Sequence, residues 1–324
     1  MRMKLESFAL LPLLTLAGCS SSPAATAEEP VRAPLAQGVE LIVLGTVQDV
    51  GSPHIACKKD CCRLLFEQPD PTRQVTSVGL VDAVSGKQYL FEASPDISRQ
   101  TKKLHAFSGQ ERELPDGVFL THAHIGHYTG LMYFGREATN ADQVPVYAMP
   151  KMESFLRNNG PWSQLVELAN IDVRPLRADS TIALSPRVRV TPFRVPHRDE
   201  FSETVGYRID GPEKSILFIP DIDKWERWER SIDTLITTVD YALVDGTFFN
   251  GAELNTRDVS QIPHPFVAES IQRFAHLPAN ERNKVHFIHF NHTNRLLEET
   301  SAERAEVLTA GMQVARYGQV FSLH

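Results

Sequence analysis

The chain has 324 residues, of which 42% are hydrophobic and 23% are charged, and its formal net charge is −7 at pH 7. This length is sufficient for one large α/β domain with a substantial core, and the sequence shows no internal repeat. The acidic balance excludes a general attraction to nucleic acid or anionic lipid, so we expect a small-molecule substrate and no nucleic acid as partner.

The N-terminal segment resembles a bacterial lipoprotein signal peptide. A basic start precedes an apolar stretch, residues 8–17, that is too short to span a membrane. The sequence Leu-Ala-Gly-Cys at 16–19 resembles a lipobox. We therefore expect residues 1–18 to be a signal peptide and Cys19 to carry a lipid. The protein would then be anchored in the bacterial cell envelope, at the outer membrane facing the periplasm. An uncleaved or misannotated start is the alternative.

The signal peptide is followed by a segment with the composition of a flexible tether. Residues 19–38 are small, polar and proline-bearing, so no fold is predicted for them. We expect the remaining residues, 39–324, to form a single domain.

Three cysteines and one histidine lie close together in the loop after the first predicted strand. Cys57 and Cys61 are spaced so that two thiolates can bind one metal ion, and Cys62 and His54 complete a set of four candidate ligands. A structural zinc ion is one interpretation. The other is a disulfide in an oxidising compartment, which would leave one thiol unpaired.

Three histidines within six residues follow a short apolar run. His122, His124 and His127 lie in the sequence Thr-His-Ala-His-Ile-Gly-His-Tyr-Thr-Gly-Leu at 121–131. Imidazole is a common neutral ligand for zinc, and two histidines at i and i+2 can bind one ion while the third faces a neighbouring ion. The motif therefore predicts a metal site, and a polar surface turn is the alternative.

Three further predicted strands end at a residue that can bind a metal. His197, Asp221 and His292 each follow a run of β-branched and aromatic residues. Because loops at strand ends are where a rigid sheet presents functional groups, we expect these side chains to converge with the histidine motif. The predicted strands are residues 189–196, 215–220 and 285–290.

The order of these residues resembles that of the metallo-β-lactamase-fold hydrolases, over roughly residues 40–322. The resemblance implies an α/β fold, a four-layer αββα sandwich with two mixed sheets packed face to face and helices outside. Helices are predicted at residues 151–158, 163–168, 266–276 and 298–308.

The resemblance also implies a set of metal ligands. In this family the first two histidines of the motif and the next histidine bind one ion. The third and last histidines bind a second ion, and the aspartate bridges the two. The corresponding residues here are His122, His124 and His197 for the first ion, His127 and His292 for the second, and Asp221 between them.

One position departs from the family pattern. Those enzymes usually have aspartate immediately before the third histidine, where this chain has Gly126. The second ion would then have three protein ligands, which together with water is still a catalytic coordination set. Whether one or two ions bind stays open.

Other segments resemble the pyrroloquinoline quinone biosynthesis protein B branch of this superfamily. The cysteine loop looks like the structural zinc knuckle of that branch. Biosynthetic members tend to lack the full histidine set, so the metal site looks closer to the phosphodiesterase members. The remaining matching segments are residues 44–45, 92–97, 244–247 and 288–294.

Several other residues are predicted to support the metal site or the reaction. Asp96 and Asp245 follow apolar strands, where carboxylates commonly orient ligating imidazoles through the second ring nitrogen. His289 would support the neighbouring ligand His292. His264, in a loop, is a candidate acid for the leaving group, and Asp221 would act in catalysis by holding the ions.

These residues predict a metal-dependent hydrolase. We expect one or two catalytic Zn²⁺ ions and one structural Zn²⁺ ion, with iron or manganese as alternatives. A divalent ion lowers the pKa of a bound water towards 7, and the resulting hydroxide would attack a phosphodiester or another ester. One alternative is an iron-dependent oxidoreductase of quinone-cofactor biosynthesis, since histidines and a carboxylate can also hold Fe(II). Another alternative is a non-catalytic metal-binding lipoprotein.

Overall fold

The computed structural model describes residues 37–49, 51–254 and 261–324. The predicted signal peptide, the lipidation site Cys19 and most of the predicted tether lie outside the described residues. Within those ranges, no helix has the length and apolar character that crossing a membrane requires.

Two seven-stranded sheets form the centre of the described fold. The first half of the domain builds one sheet, the second half builds the other, and the last strand returns to the first sheet. In chain order the strands are β1 (Val39–Gly45), β2 (Ser77–Asp82), β3 (Lys87–Phe91), β4 (Gly117–Phe119), β5 (Val144–Ala148), β6 (Ile171–Pro175), β7 (Ile182–Ser185), β8 (Val188–Arg194), β9 (Val205–Asp210), β10 (Ser215–Ile219), β11 (Tyr241–Asp245), β12 (Val285–Ile288), β13 (Gln313–Val314) and β14 (Val320–Ser322).

Both sheets are mixed, with the orders β14–β1–β2–β3–β4–β5–β6 and β13–β12–β11–β10–β9–β8–β7. In the first sheet β2 is antiparallel to both β1 and β3, and β4 is parallel to β3, so β1, β3 and β4 run in one direction. In the second sheet β8, β10, β11 and β12 likewise share one direction. Polar residues that follow these strands are therefore brought to one edge of each sheet.

The space between the sheets is filled by apolar and aromatic side chains. Phe119 on β4 stacks on Phe91 of β3 and on Tyr147 of β5, with ring centroids 4.7 and 4.3 Å apart. Tyr207 of the opposite sheet meets the Phe119 ring edge-on at 5.7 Å. Aromatic pairs in these geometries contribute beyond the area that they bury, so this core fixes the end of β4 that leads into the histidine motif.

Helices cover the outer face of each sheet and complete the four layers. On the first sheet Leu104, Leu156 and Leu165 pack into the outer core, and on the second sheet Phe274 and Val307 do so. The predicted αββα sandwich is confirmed. The helices are α1 (Asp60–Glu67), α2 (Ile97–Ser108), α3 (Ile125–Tyr128), α4 (Pro150–Asn158), α5 (Trp162–Glu167), α6 (Ile232–Thr237), α7 (Val267–Phe274), α8 (Ala279–Arg282) and α9 (Ala302–Thr309).

Several predicted element ends differ from the structure by a few residues, and two of these differences have a clear local reason. The helix predicted from residue 298 begins at Ala302, because the Ser301 side chain accepts a hydrogen bond from the backbone N–H of Arg304 and caps the helix there. The strand predicted to residue 290 ends at Ile288, because His289 has a left-handed backbone with φ of 68°.

Candidate metal centre

Four side chains from three strand ends form a group that we call the first cluster. His122 and His124 follow β4, His197 follows β8 and Asp221 follows β10, and one ligand atom from each lies within 4.8 Å of the others. The Asp221 Oδ2 atom is 3.2 Å from His197 Nε2 and 3.4 Å from His122 Nε2. The sequence-predicted ligands of the first ion are therefore brought together.

The spacing of these atoms fits a divalent ion. Bonds of ~2.0–2.1 Å in a tetrahedral site place neighbouring ligand atoms ~3.3 Å apart. His124 Nδ1 lies 2.8 Å from His122 Nε2 and 3.3 Å from His197 Nε2. Three imidazole nitrogens and one carboxylate oxygen at these separations have room for one ion between them.

Outer partners contact all three imidazoles: the Nε2 atom of His124 lies 3.4 Å from Glu200 Oε2, and the other two contacts are shorter. The Nδ1 atom of His197 lies 3.1 Å from Asp223 Oδ1, and the Nδ1 atom of His122 lies 2.8 Å from the hydroxyl oxygen of Thr121. A proton on the His197 Nδ1 atom is then donated to Asp223, which leaves its Nε2 lone pair directed at the cluster. Sequence reasoning missed Asp223, although it lies only two residues after Asp221.

A second cluster adjoins the first. It consists of His127 on α3, His289 after β12 and Asp49 after β1, whose ligand atoms lie within 4.8 Å of one another. His127 Nε2 is 3.5 Å from Asp49 Oδ1 and 3.8 Å from Asp221 Oδ2, so Asp221 borders both clusters. Burial lowers the pKa of His289 to about 4.

The prediction for His292 has to be corrected. The left-handed turn at His289 directs that side chain to the second cluster, where its ring centroid is 5.2 Å from that of His127. His289 therefore occupies the place that was predicted for His292, and is not a supporting residue beside a ligand. His292, three residues later, lies among the cysteines.

A buried glutamate orients His127 from the side opposite the second cluster. Glu92, directly after β3, places its Oε1 atom 3.2 Å from His127 Nδ1, and neither side chain is exposed. Burial alone would lower the pKa of His127, but Glu92 and Asp49 together raise it to about 10. The role predicted for Asp96 has to be corrected, because its Oδ2 atom accepts a hydrogen bond from the backbone N–H of Val75 instead.

Replacing Glu92 with glutamine should weaken metal binding at the second cluster by ~10–100-fold, because the partner that orients His127 loses its charge. Competition titration of zinc against a chromogenic chelator measures this affinity. Asp96→Asn is the matched control and should bind zinc like the unmodified protein. Equal zinc affinities in all three proteins would contradict the role of Glu92 in orienting His127.

A third group connects His264 to the first cluster. His264 Nδ1 is 2.9 Å from Asp245 Oδ2 and 3.2 Å from Asp221 Oδ1. Burial alone would lower the pKa of His264, but Asp245 and Asp221 raise it. Asp245 is held in place because its Oδ1 atom accepts hydrogen bonds from the backbone N–H and the hydroxyl of Thr247. Asp245 was predicted to orient a metal-binding imidazole, but the imidazole that it contacts is that of the candidate acid His264.

The cysteine cluster consists of Cys57, Cys61, Cys62 and His292, whose ligand atoms lie within 4.8 Å of one another. All three cysteines are free thiols. His54, predicted as the fourth ligand, does not join them: its Nδ1 atom lies 2.8 Å from the carbonyl oxygen of Ile55, and its ring stacks on His292 at 4.4 Å. The donor set is therefore three sulfurs and the His292 imidazole, which suits a tetrahedral structural zinc ion.

His292→Ala should remove the ion of the cysteine cluster and lower the thermal unfolding midpoint, because a structural zinc contributes directly to folding. His54→Ala should retain this ion, since the His54 ring only stacks on the ligand. Elemental analysis and thermal melts of both variants provide the comparison. Loss of zinc from His54→Ala but not from His292→Ala would show that His54, and not His292, is the fourth ligand.

A family model described as "Beta-lactamase superfamily domain" matches residues 87–290. The match covers more than half of the chain and includes the whole first cluster. The chain belongs to the beta-lactamase superfamily. The superfamily predicted from the histidine motif is thereby confirmed.

Curated relatives of this superfamily member are similar over most of their length. Coenzyme PQQ synthesis protein B of Methylobacterium radiotolerans is 26% identical over 307 residues, which are 88% of this chain and 100% of that protein. The protein of the same name from Xanthomonas axonopodis pv. citri is 24% identical over 316 residues, with the same shares covered. The predicted resemblance to the protein B branch is confirmed.

Several solved structures have a similar fold. Zn(2+)-bound PqqB from Methylobacterium extorquens has a TM-score of 0.73 and 24% identity, and covers 88% of this chain and 100% of its own. A diphosphatase from the PhnP family has a TM-score of 0.59 and 21% identity, with shares of 87% and 96%. Human tRNase Z, short form, has a TM-score of 0.54 and 17% identity, with shares of 88% and 99%. At these identities the likeness concerns the fold.

Proposed function

We propose that this superfamily member is a metal-dependent hydrolase that cleaves a phosphodiester or another ester. One observation carries the proposal: the Asp221 Oδ2 atom lies 3.2 Å from His197 Nε2 of the first cluster and 3.8 Å from His127 Nε2 of the second. A carboxylate between two sets of metal ligands suits two adjacent divalent ions, an arrangement typical of phosphatases and nucleases.

The donor set of both clusters suits zinc, and iron and manganese fit it as well. When bound, such ions lower the pKa of water towards 7 and stabilise the negative charge that develops on the substrate. Each cluster combines imidazole nitrogens with carboxylate oxygens, which all three metals accept. We propose Zn²⁺ as the resident ion and a small molecule as the substrate.

The residues of the site have separate tasks in this proposal. The imidazoles of both clusters and the Asp221 carboxylate hold the ions. His264 donates a proton to the leaving group, and the neighbouring Asp245 and Asp221 carboxylates raise its pKa, which favours the protonated form. Asp245 fixes the orientation of the His264 ring through the 2.9 Å contact with its Nδ1 atom.

A substrate panel tests this proposal. The zinc-loaded protein would be assayed with bis(p-nitrophenyl) phosphate, 2′,3′-cyclic nucleotides, p-nitrophenyl acetate and a chromogenic lactam. We expect metal-dependent turnover of a phosphodiester, and loss of that turnover in His122→Ala. Folded, metal-loaded protein that hydrolyses none of these classes would contradict the proposal and favour a non-catalytic metal-binding lipoprotein.

A second candidate is an iron-dependent oxidoreductase that acts in quinone-cofactor formation. Two observations favour it: the relatives named coenzyme PQQ synthesis protein B, and the two imidazoles and one carboxylate of the second cluster. That donor set is also used by Fe(II) oxygenases. The expected lipid anchor at Cys19 speaks against a cytosolic biosynthetic step. If the protein contains iron as its main metal and consumes oxygen, the oxidoreductase is favoured over the hydrolase.

A further inference from the structure

The carboxylate that the family pattern places at residue 126 is missing, and the structure fills its space from another loop. A Cβ atom built on Gly126 would overlap the backbone Cα of Asp49 and would lie 2.8 Å from the Asp49 Oδ1 atom. A side chain at residue 126 and the present position of Asp49 therefore exclude each other. The carboxylate oxygen of Asp49 lies next to the point where a side chain from residue 126 would begin.

Backbone pairing fixes Asp49 beside the second cluster. The N–H of Phe290 donates to the carbonyl oxygen of Thr46 at 2.7 Å, and the N–H of Gln48 donates to the carbonyl oxygen of Phe290 at 2.8 Å. These bonds hold the segment after β1 against the segment after β12. Since Asp49 follows Gln48 and His289 precedes Phe290, the two side chains are held in register.

Four buried atoms of the second-cluster side chains have no hydrogen-bond partner among the described residues: Asp49 Oδ1, His289 Nε2 and both ring nitrogens of His127. His127 Nδ1 faces Glu92, whereas His127 Nε2 lies 3.5 Å from Asp49 Oδ1, and one ligand atom from each of the three residues lies within 4.8 Å of the others. A buried polar atom without a partner costs about 1–3 kcal/mol. Three such atoms directed at one point fit a bound cation, which would be the shared partner of all three.

Backbone strain is concentrated around the same point. Asp49, Glu92 and His289 follow three different strands, and they have φ values of 38°, 77° and 68°. Left-handed conformations at residues other than glycine cost about 1–3 kcal/mol each and are found mostly at functional sites. Here the left-handed conformations direct the candidate ligands Asp49 and His289, together with Glu92, towards His127.

We propose that Asp49 is the carboxylate ligand of the second ion, in place of the aspartate that the family carries at residue 126, and that Gly126 is required to leave room for it. This inference rests on the proposed function only in that an ion binds in each of the two clusters. It completes a second set of two imidazoles and one carboxylate, with Asp221 shared between the two ions.

Zinc binding by the full chain tests the proposal, and the readout is metal content and affinity. Asp49→Asn and Gly126→Ala should each lower the zinc content by about one ion per chain after dialysis against a fixed free zinc concentration. The alanine variant is informative because alanine is ordinarily favoured over glycine in a helix. Here its methyl group would displace Asp49.

Two further variants identify which ion is lost. His289→Ala should lose the same ion, so the double variant Asp49→Asn/His289→Ala should lose no more than either single variant. His122→Ala reports on the first cluster. Circular dichroism confirms that each variant is folded.

The possible failures are distinguishable. If Asp49→Asn binds zinc with unchanged stoichiometry and affinity while His289→Ala loses an ion, Asp49 is only an ion-pair partner of His127 and the inference is wrong. If the unmodified protein binds no ion that depends on His122 or His289, the inference and the proposed function fail together.

Discussion

Replacing Asp221 with asparagine should lower kcat/KM for the hydrolysed ester by about 1,000-fold, which corresponds to about 4 kcal/mol of transition-state stabilisation. The Asp221 side chain is only 3% exposed and contacts imidazoles of both clusters. Although burial alone would raise its pKa, His197 and His264 hold the pKa of this carboxyl well below the usual range. Asparagine keeps the size of the side chain but removes the charge on which the ions depend.

Steady-state kinetics and elemental analysis of the same preparation test this prediction. Asp223→Asn is a graded control, because Asp223 lies outside both clusters: its Oδ1 atom is 3.1 Å from the outer nitrogen of His197, and its Oδ2 atom accepts a hydrogen bond from Arg227. Asp223→Asn should lower the metal affinity by ~10–100-fold, and a high zinc concentration should restore its activity. A high zinc concentration should not restore the activity of Asp221→Asn. Activity of Asp221→Asn within tenfold of the unmodified protein would be incompatible with a shared carboxylate.

His264→Gln should lower the rate by about 100-fold for a substrate with a poor leaving group. The effect should be small for a p-nitrophenyl leaving group, which departs without protonation. The structural reason is the position of His264, whose Nδ1 atom contacts both Asp245 and the metal-site residue Asp221. Glutamine retains a donor at the ring position but cannot supply the proton of an imidazolium.

A series of aryl phosphodiesters with leaving groups of increasing pKa measures this effect. The logarithm of kcat should fall more steeply with leaving-group pKa in His264→Gln than in the unmodified protein, while zinc content stays the same. His276→Gln is the matched control, since His276 is exposed on the protein surface. Equal losses for every leaving group would show that His264 positions other residues and donates no proton.

The first cluster could be predicted because its information is local in the sequence. His122 and His124 lie in one short motif, and His197 and Asp221 each follow a clear apolar strand. Strands that run in one direction end at the same edge of a sheet. The expected fold therefore predicted that the ligands after these strands lie close together. The four layers could be predicted by the same reasoning from resemblance and strand pattern.

The second cluster depends on backbone geometry that the sequence does not display. Whether His289 or His292 faces His127 is decided by the left-handed turn at His289, which a pattern of apolar residues does not indicate. Asp49 reaches the site through pairing of two segments that are far apart in the chain: the side-chain hydrogen bond between Gln48 and Asn291 joins residues 243 positions apart. The sequence showed that the family aspartate is missing at Gly126. Only the structure shows the steric reason, which is the close approach of Asp49.

The supporting carboxylates show the same limit. Glu92 and Asp96 lie in one segment after β3, and both are acidic, so the sequence alone did not separate them. The structure does, because Glu92 contacts His127 whereas Asp96 binds the backbone N–H of Val75. In the cysteine cluster the sequence predicted His54 as the fourth ligand, whereas the structure places His292 there. The error has a similar cause, because tertiary folding brings His292 to the cysteines.

The most direct test of the central claim is the metal content of the protein purified without added metal, measured beside His122→Ala. We predict about three zinc ions per chain, one each in the first, second and cysteine clusters, with a lower content in the variant. Protein that is folded and contains no stoichiometric metal would contradict the account.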